Sequence, residues 1–402
     1  MAPRLVSGSE YGDPVTDPSA TPTVTSPGAG RPRVVIAGLG DTGMLIALRL
    51  TKVADVVGIS TRPALVSGQE LGTRLVDPPR WERTYVVPHR RFRRLDRVTT
   101  VLGRITASDL DANTVTVEHA DGSTTVEHYD VLVVATGVAN GFWRHDRVEN
   151  IDEVEALTRE ASARLAAAPT VVVVGGGATG ASVADNLARR GRARGDGSTV
   201  HLFHSGEHPL PGYHPRARSW IVRRLTDDGV TLHPEHRAVM PAGFRGERMT
   251  TEPIEFSTGQ APFTADLVFW AVGGGRPHSA FLPADVLDEQ GFVRVDDHLQ
   301  VPGYPKVFAI GDVAATDPHR SSARNWGWRI VVTNVRAALG HGKPKRFAAP
   351  EYRWGSVLGV QDDGMIIVQP NGKRVRVPRW IAEHLLVGSF VTRYLYRGLR
   401  TT

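Results

Sequence analysis

The chain has 402 residues, 41% of them hydrophobic and 22% charged, and it contains no cysteine. That length suits two or three domains, and the missing cysteine excludes a disulfide framework, thiolate metal ligation, a cysteine nucleophile and a dithiol redox pair. Lys plus Arg number 48 against 42 Asp plus Glu, a net charge of +6, and five of those cations are Lys; the rest are Arg, which keeps its charge at any working pH.

Residues 1–32 are rich in Pro, Ser, Thr and Gly, with no apolar block beyond Leu5-Val6. They predict a disordered leader without the apolar core of a secretion signal. Val34-Val35-Ile36-Ala37 then reads as a short buried strand and Met44–Leu50 as a helix, joined by Gly38-Leu39-Gly40-Asp41-Thr42-Gly43. In such a turn the first Gly permits the bend, the second lets a pyrophosphate reach the backbone, and the third lets helix and strand pack closely, with the helix N-terminus facing the anion. After the next apolar run, Val56-Val57-Gly58-Ile59, a carboxylate would be expected to bind a ribose. Ser60 stands there instead, followed by Thr61 and Arg62, and Ser60 and Arg62 are the candidates for that end of a cofactor. Thr114–Glu118 and Thr124–His128, joined through Asp121-Gly122, predict an antiparallel hairpin.

A second unit of the same kind opens at Val171-Val172-Val173-Val174, with the turn Gly175-Gly176-Gly177-Ala178-Thr179-Gly180 and a helix over Ala181–Leu187. Its second strand, Val200–Phe203, ends on His204, again without a carboxylate. A carboxylate there would repel a 2′-phosphate, so its absence leans the donor towards NADPH, with a protonated His204 as a partner for that phosphate; the plainer alternative is a His facing solvent. One such unit would serve a dehydrogenase, whereas two suggest a flavin reduced by a nicotinamide. The His residues, His201 and His208 included, show no metal-ligand spacing, so no metal site is expected.

Three more segments follow: Val131–Val134 ending in Ala135-Thr136-Gly137, Phe269–Pro277 containing Gly273, and Val307–Ala314 ending a strand in Gly311-Asp312. Together with the two turns they resemble the FAD-dependent pyridine nucleotide oxidoreductases, in the branch of the type II NADH dehydrogenases, apoptosis-inducing factor and the ferroptosis suppressor protein. The resemblance covers residues 33–345. It implies an α/β fold of two Rossmann-like dinucleotide-binding domains, for FAD and NAD(P)H, plus a small C-terminal α+β segment. The flavin domain would be discontinuous (33–150 and 276–345), the NAD(P)H domain would span 151–275, and 346–402 would form the C-terminal domain. By this resemblance Gly38, Gly40, Gly43, Ala135, Thr136, Gly137, Gly311 and Asp312 would carry FAD, Asp312 through a ribityl hydroxyl. Gly175, Gly177, Ala178, Thr179, Gly180 and Gly273 would carry the nicotinamide cofactor.

The departures bear on the acceptor. Ser182 stands where many relatives have a Glu, and no Gln follows Gly311-Asp312 as it does beside the quinone of type II NADH dehydrogenases. The stretch Ala323-Arg324-Asn325-Trp326-Gly327-Trp328-Arg329 occupies that place. Asn325, Trp326 and Trp328 are the acceptor-site candidates, as a platform for a flat acceptor; ordinary packing is the alternative for the indoles. The expected activity is transfer from NAD(P)H through FAD to a quinone-like small molecule, with no side chain singled out as catalytic. The alternatives are a ferredoxin-type reductase and a non-catalytic flavin- or nucleotide-binding protein.

Residues 379–400 contain no Pro and predict one helix, with Arg379, Arg393, Arg397 and Arg400 in one sector and Trp380, Ile381, Leu385, Val387, Val391, Leu395 and Leu399 opposite. Its apolar stretches are too short to cross a bilayer, but the pattern suits a membrane surface; docking on the protein body or in a homodimer is the alternative. Residues 346–402 hold nine Lys or Arg and four Asp or Glu, 9 − 4 = +5 of the net charge. The basicity therefore argues for a surface met by the C-terminus and not for nucleic acid, and the expected location is cytoplasmic, at most peripheral on a membrane.

Overall fold

The structure is a computed structural model that describes residues 30–68, 71–139, 145, 147–244, 246–272, 275–384 and 395–400, together with the backbone of 23–25. The apolar run Arg33–Ala37 lies inside a six-stranded sheet of spatial order Gln300–Val301, Tyr304–Ala309, Val131–Val134, Arg33–Ala37, Asp55–Ser60, Val98–Leu102. Every pairing is parallel except that of the Gln300–Val301 edge. Parallel strands are covered on both faces, which explains why they read as unbroken Val and Ile runs. From Arg33–Ala37 the chain moves to one side through Asp55–Ser60 and later returns on the other side as Val131–Val134. The strand order reverses there, and a crevice opens at the carboxyl ends of the strands. One face carries the helices Asp41–Leu50 and Gly327–Ala338, with Met44, Ile46, Leu48, Phe308, Trp328 and Val331 in the intervening core. The other is covered by a smaller sheet that buries Val115 and Val117 on Val35, Val57 and Leu132.

That smaller sheet contains the expected hairpin, with Thr114 opposite His128 and Glu118 opposite Thr124. It also contains a correction. Thr23–Thr25, within the leader expected to lack structure, pairs in parallel with Thr125–Glu127. Its β-branched Thr-Val-Thr sequence suits a strand laid on an open sheet edge.

The second unit repeats the plan with a parallel sheet of order Val230–His233, Thr199–Phe203, Thr170–Val174, Leu267–Trp270. Helices Ile151–Ala167, Ala178–Arg194 and Pro215–Asp227 cover one face, burying Leu165, Leu187, Ile221 and Leu225. A capping box between Asn150 and Glu153 starts the first of these helices. Phe203, Ile254, Phe256 and Trp270 fill the opposite face.

The C-terminal segment straddles both units. Its antiparallel strands Val360–Gln361, Gly364–Val368 and Arg374–Val377 lie on the second, with Val357, Leu358 and Val368 packed among Ile221 and Leu225. The end of the chain returns to the first. The expectation of a single helix over 379–400 is corrected there: 379–384 is helical, 385–394 lies outside the described residues, and the backbone after Leu395 is not α-helical. Arg397 and Gly398 take positive φ values of 56° and 97°, which no right-handed helix accommodates. Leu399 then pairs with Phe92, Arg400 N–H donates to the Arg91 carbonyl at 2.7 Å, and its guanidinium pairs with Asp96. Leu395, Tyr396 and Leu399 pack on the core beneath Asp41–Leu50. Two more basic residues of this segment are met by the chain's own carboxylates: Arg346 by Asp297 at 3.1 Å, and Arg379 by Asp362 at 2.9 Å and Glu383 at 3.0 Å. Among the described residues no helix is long and apolar enough to cross a membrane.

Candidate functional site

The two glycine turns have the same geometry. Gly38 N–H donates to the Ile59 carbonyl at 2.9 Å and Gly175 N–H to the Phe203 carbonyl at 2.8 Å, so each turn is tied to the last residue before the ribose position. Gly38 has φ 99° and Gly175 φ 122°. A Cβ on either would strike a carbonyl oxygen of the neighbouring strand's exit, that of Ala135 at 2.6 Å and of Ala271 at 2.3 Å. The third glycines are packed just as tightly, since a Cβ at Gly43 would lie 1.8 Å from the Gly38 oxygen and one at Gly180 1.9 Å from the Gly175 oxygen. By contrast, a Cβ at Gly40 or Gly177 would meet nothing within 4 Å. Both residues are helix N-caps with no side chain satisfying the amides. Open space in front of uncapped amides is the donor set that a diphosphate fits.

The first turns differ in charge. Ala178 and Thr179 begin a helix with no acidic residue in its first turn. Asp41 begins the other, but its carboxylate accepts from Gly68 N–H at 3.2 Å and from the Tyr396 hydroxyl at 3.4 Å. Burial, and then the Asp41 charge, hold the Tyr396 phenol well above its ordinary pKa, so its proton stays in place for this bond. Thr42 reaches towards the Gly-Asp turn: its Oγ1 is 3.9 Å from the place of a Gly311 Cβ. Gly311 N–H donates to Ser322 Oγ at 3.0 Å, Asp312 is exposed beside it, and Thr136 Oγ1 donates to the His278 carbonyl at 2.7 Å. Gly38, Gly40, Asp41, Thr42, Gly43, Ala135, Thr136, Gly137, Gly311 and Asp312 are thus gathered at one end of one sheet. Gly273 lies outside the described residues.

The ribose positions are less open. Ser60 Oγ accepts from Arg62 N–H at 3.2 Å, and the Arg62 guanidinium is held by buried Glu149, to which Nε donates at 2.8 Å. Arg62 is therefore already matched by a carboxylate of its own chain. His204 is 4% exposed, which removes the solvent-facing alternative, and it packs behind the second glycine turn with its Nδ1 lacking any hydrogen-bond partner. Burial lowers its pKa, so the ring is neutral and the protonated form expected opposite a 2′-phosphate is disfavoured. Ser182 is buried against the helix Leu71–Val76, where a Cβ at Gly72 would come within 2.5 Å of the Ser182 carbonyl oxygen and 2.7 Å of Oγ. There is no room for the longer Glu of relatives at this contact.

The acceptor-site candidates separate. Trp328 is 6% exposed, inside the first unit's core, with the Arg49 guanidinium 4.0 Å over its ring; it is a packing residue rather than a platform. Trp326 and Asn325 remain at the surface end of Gly327–Ala338, one turn from Gly311. Trp326 takes φ 62°, an unfavourable conformation for a bulky residue. Its ring lies within 12° of parallel to that of Trp354, with centroids 6.5 Å apart. Trp354 and its neighbour Arg353 had no role expected from the sequence; the recurring dipeptide Trp-Gly, at 326–327 and 354–355, was a local signal for them. Asp296, Asp297 and His298 bring ligand atoms within 4.8 Å of one another on a surface turn.

A family model described as pyridine nucleotide-disulphide oxidoreductase matches residues 32–342. The oxidoreductase ptaL of Pestalotiopsis fici is 30% identical over 225 residues, which cover 55% of this chain and 58% of that protein. The chain thus spans little more than half of that relative. The type II NADH:quinone oxidoreductase Ndh of Mycobacterium tuberculosis is 26% identical over 362 residues, covering 81% of this chain and 76% of that one. Among solved structures, a water-forming NADH oxidase from Lactobacillus brevis bound to NADH superposes with a TM-score of 0.59 at 20% identity, covering 84% of this chain and 74% of the other. That likeness is one of fold.

Proposed function

The chain belongs to the pyridine nucleotide-disulphide oxidoreductase family, and on that premise we propose that it is an FAD-dependent NAD(P)H oxidoreductase delivering electrons to a quinone. The observation that carries this reading is the pair of glycine cradles with matching geometry, one at the carboxyl end of each parallel sheet. Gly38, Gly40 and Gly43 with Ala135–Gly137 and Gly311-Asp312 would hold FAD, and Gly175, Gly177 and Gly180 with Ala178 and Thr179 would hold the nicotinamide cofactor. FAD, when bound, supplies the two-electron chemistry between donor and acceptor. The overall reaction balances as NAD(P)H + H⁺ + quinone → NAD(P)⁺ + hydroquinone. The chain contains no cysteine, so no protein disulfide can relay the electrons.

The protein's part is to bind and orient. The uncapped amides of the helices that begin after Gly40 and Gly177 would bind the diphosphates, and the close glycine contacts would set where each cofactor lies relative to its sheet. A quinone as acceptor is supported by the similarity to a type II NADH:quinone oxidoreductase and by the flat Trp326 face beside the Gly311 turn. For the donor, NADPH is favoured by the lack of a carboxylate at residue 204 alone, since the His204 ring is buried behind the turn. The test is reconstitution with FAD followed by NAD(P)H oxidation with and without 2-methyl-1,4-naphthoquinone. Quinone-dependent oxidation is expected; a protein that takes up no FAD, or that oxidises no NAD(P)H when quinone is added, contradicts the proposal.

A further inference from the structure

Beside the Gly311-Asp312 turn, three guanidinium groups surround the Trp326–Trp354 pair. Arg329 lies 4.3 Å over the Trp326 ring. Arg324 Nη1 is 3.1 Å from the Tyr213 hydroxyl and 3.5 Å from the Trp354 carbonyl oxygen, which joins all three parts of the molecule at this point. Arg353, next to Trp354, is half-buried and donates to the His319 carbonyl at 2.6 Å. Among the described residues none of the three has a carboxylate within ion-pair distance, and Asp312 and Asp317 act on the half-buried Arg353 only through their charge. Of the acidic residues nearest in sequence, Glu351 bonds to the neighbouring Tyr352 hydroxyl, and Asp317 is consumed in its own turn by Thr316, His319 and Ser321, the last through both N–H and hydroxyl. Asn325 Nδ2 is a fourth donor, buried and without a partner.

Indoles aligned within 12° favour a flat aromatic molecule through stacking. Guanidinium groups with no carboxylate in ion-pair contact favour an anion, and a planar one above all, since Arg binds such groups in a fixed fork. We propose that this niche selects an anionic planar acceptor, a quinone bearing an ionised hydroxyl, carboxylate or sulfonate, over a neutral quinone of the same ring size. Arg324 and Arg353 set the charge preference, and Trp326 and Trp354 supply the stacking face. The assignment rests on the quinone reading above and refines it.

Two measurements on the FAD-loaded full chain test it. In steady state, 1,4-naphthoquinone-2-sulfonate is compared with neutral 2-methyl-1,4-naphthoquinone. The ratio of their kcat/KM values falls about tenfold in Arg324→Gln and declines with added salt in the natural protein. Separately, naphthalene-2-sulfonate, which is not reduced, quenches the tryptophan fluorescence, and its Kd rises about tenfold in Arg324→Gln. An unchanged kcat/KM ratio together with an unchanged Kd overturns the proposal. If neither quinone is turned over, the quinone reading falls by itself. The naphthalene-2-sulfonate titration then still decides the niche, Arg324-dependent quenching supporting it and Arg324-independent quenching refuting it.

Discussion

A Cβ at Gly43 would lie 1.8 Å from a backbone oxygen, whereas one at Gly40, three residues earlier, would meet no atom within 4 Å. The same substitution is therefore expected to fail in different ways at the two positions. Gly43→Ala forces the helix off its strand and lowers the thermal stability of the protein without cofactor, by about 1–3 kcal/mol as for other overpacked sites. Gly40→Ala costs less of that stability, at most about 1 kcal/mol at an N-cap, and weakens FAD binding at least about tenfold, because its methyl group occupies the space a diphosphate would enter. Thermal denaturation and a fluorescence titration with FAD separate the two. A residue outside the cradle makes a second prediction. Asp185 is fully buried in Ala178–Arg194, and neither of its carboxyl oxygens receives a hydrogen bond. Burial, and next the charge of Asp228, push its pKa up to about 7; Asp228, though itself desolvated, is kept ionised by Arg192 and Arg224. An unfolded Asp ionises near pH 3.9, so between about pH 4 and 7 the unfolded state releases this proton first and stability falls as pH rises. Asp185→Asn removes that fall. It is expected to raise the melting temperature at pH 8 by at least about 3 °C more than at pH 5, as read by calorimetry.

The tail from Leu395 to Arg400 behaves as a strap over the first glycine helix. Tyr396 meets Phe92 edge-on at a centroid distance of 5.2 Å and donates to Asp41, while Arg49 Nη2 donates to the Leu395 carbonyl at 3.0 Å. Tyr396→Ala is expected to cost about 3–5 kcal/mol, as for other large buried aromatics, and to speed FAD loss by freeing Asp41 at the cradle. Tyr396→Phe, which keeps the packing and drops one hydrogen bond, costs about 1 kcal/mol. Chemical denaturation and the rate of FAD release measure both; equal effects of the two variants would contradict the strap. The pattern of residues 379–400 announced an apolar side that needed cover, but a helical wheel carries no information about what provides it. For Leu395, Tyr396 and Leu399 the cover is Phe92 and the Asp41–Leu50 helix, more than 300 residues away in sequence, whereas Trp380 is 60% exposed. The glycine turns and the hairpin were legible because their chemistry is local: each needs only a few adjacent residues with fixed backbone demands. His204 was not, since its burial depends on how Pro209 and the second turn fold over it.

At the scale of the whole molecule, one strand–turn–helix plan is used twice, and the C-terminal segment ties the copies together. Its sheet lies on the second unit, its tail on the first, and Trp354 sits where Arg324 also meets Tyr213. Zero cysteine is consistent with a plan in which bound cofactors carry the electrons. Of the nine Lys and Arg of the C-terminal segment, whose positive excess by composition pointed to an outside surface, Arg346 and Arg400 pair with carboxylates elsewhere in the chain, Asp297 and Asp96, and Arg376 and Arg379 with carboxylates of the segment itself. That matching was invisible in a charge count, because the count records totals and the pairing depends on the fold. On the proposed reading, two cradles in one chain pass electrons from a nicotinamide through FAD to an acceptor. Anaerobic titration of the FAD-loaded protein with NADPH and with NADH tests it most directly, followed by addition of quinone. Stoichiometric loss of the oxidised flavin's visible absorbance is expected, at lower concentrations of NADPH than of NADH, with its return when quinone is added. A flavin spectrum left unchanged by both donors would contradict it.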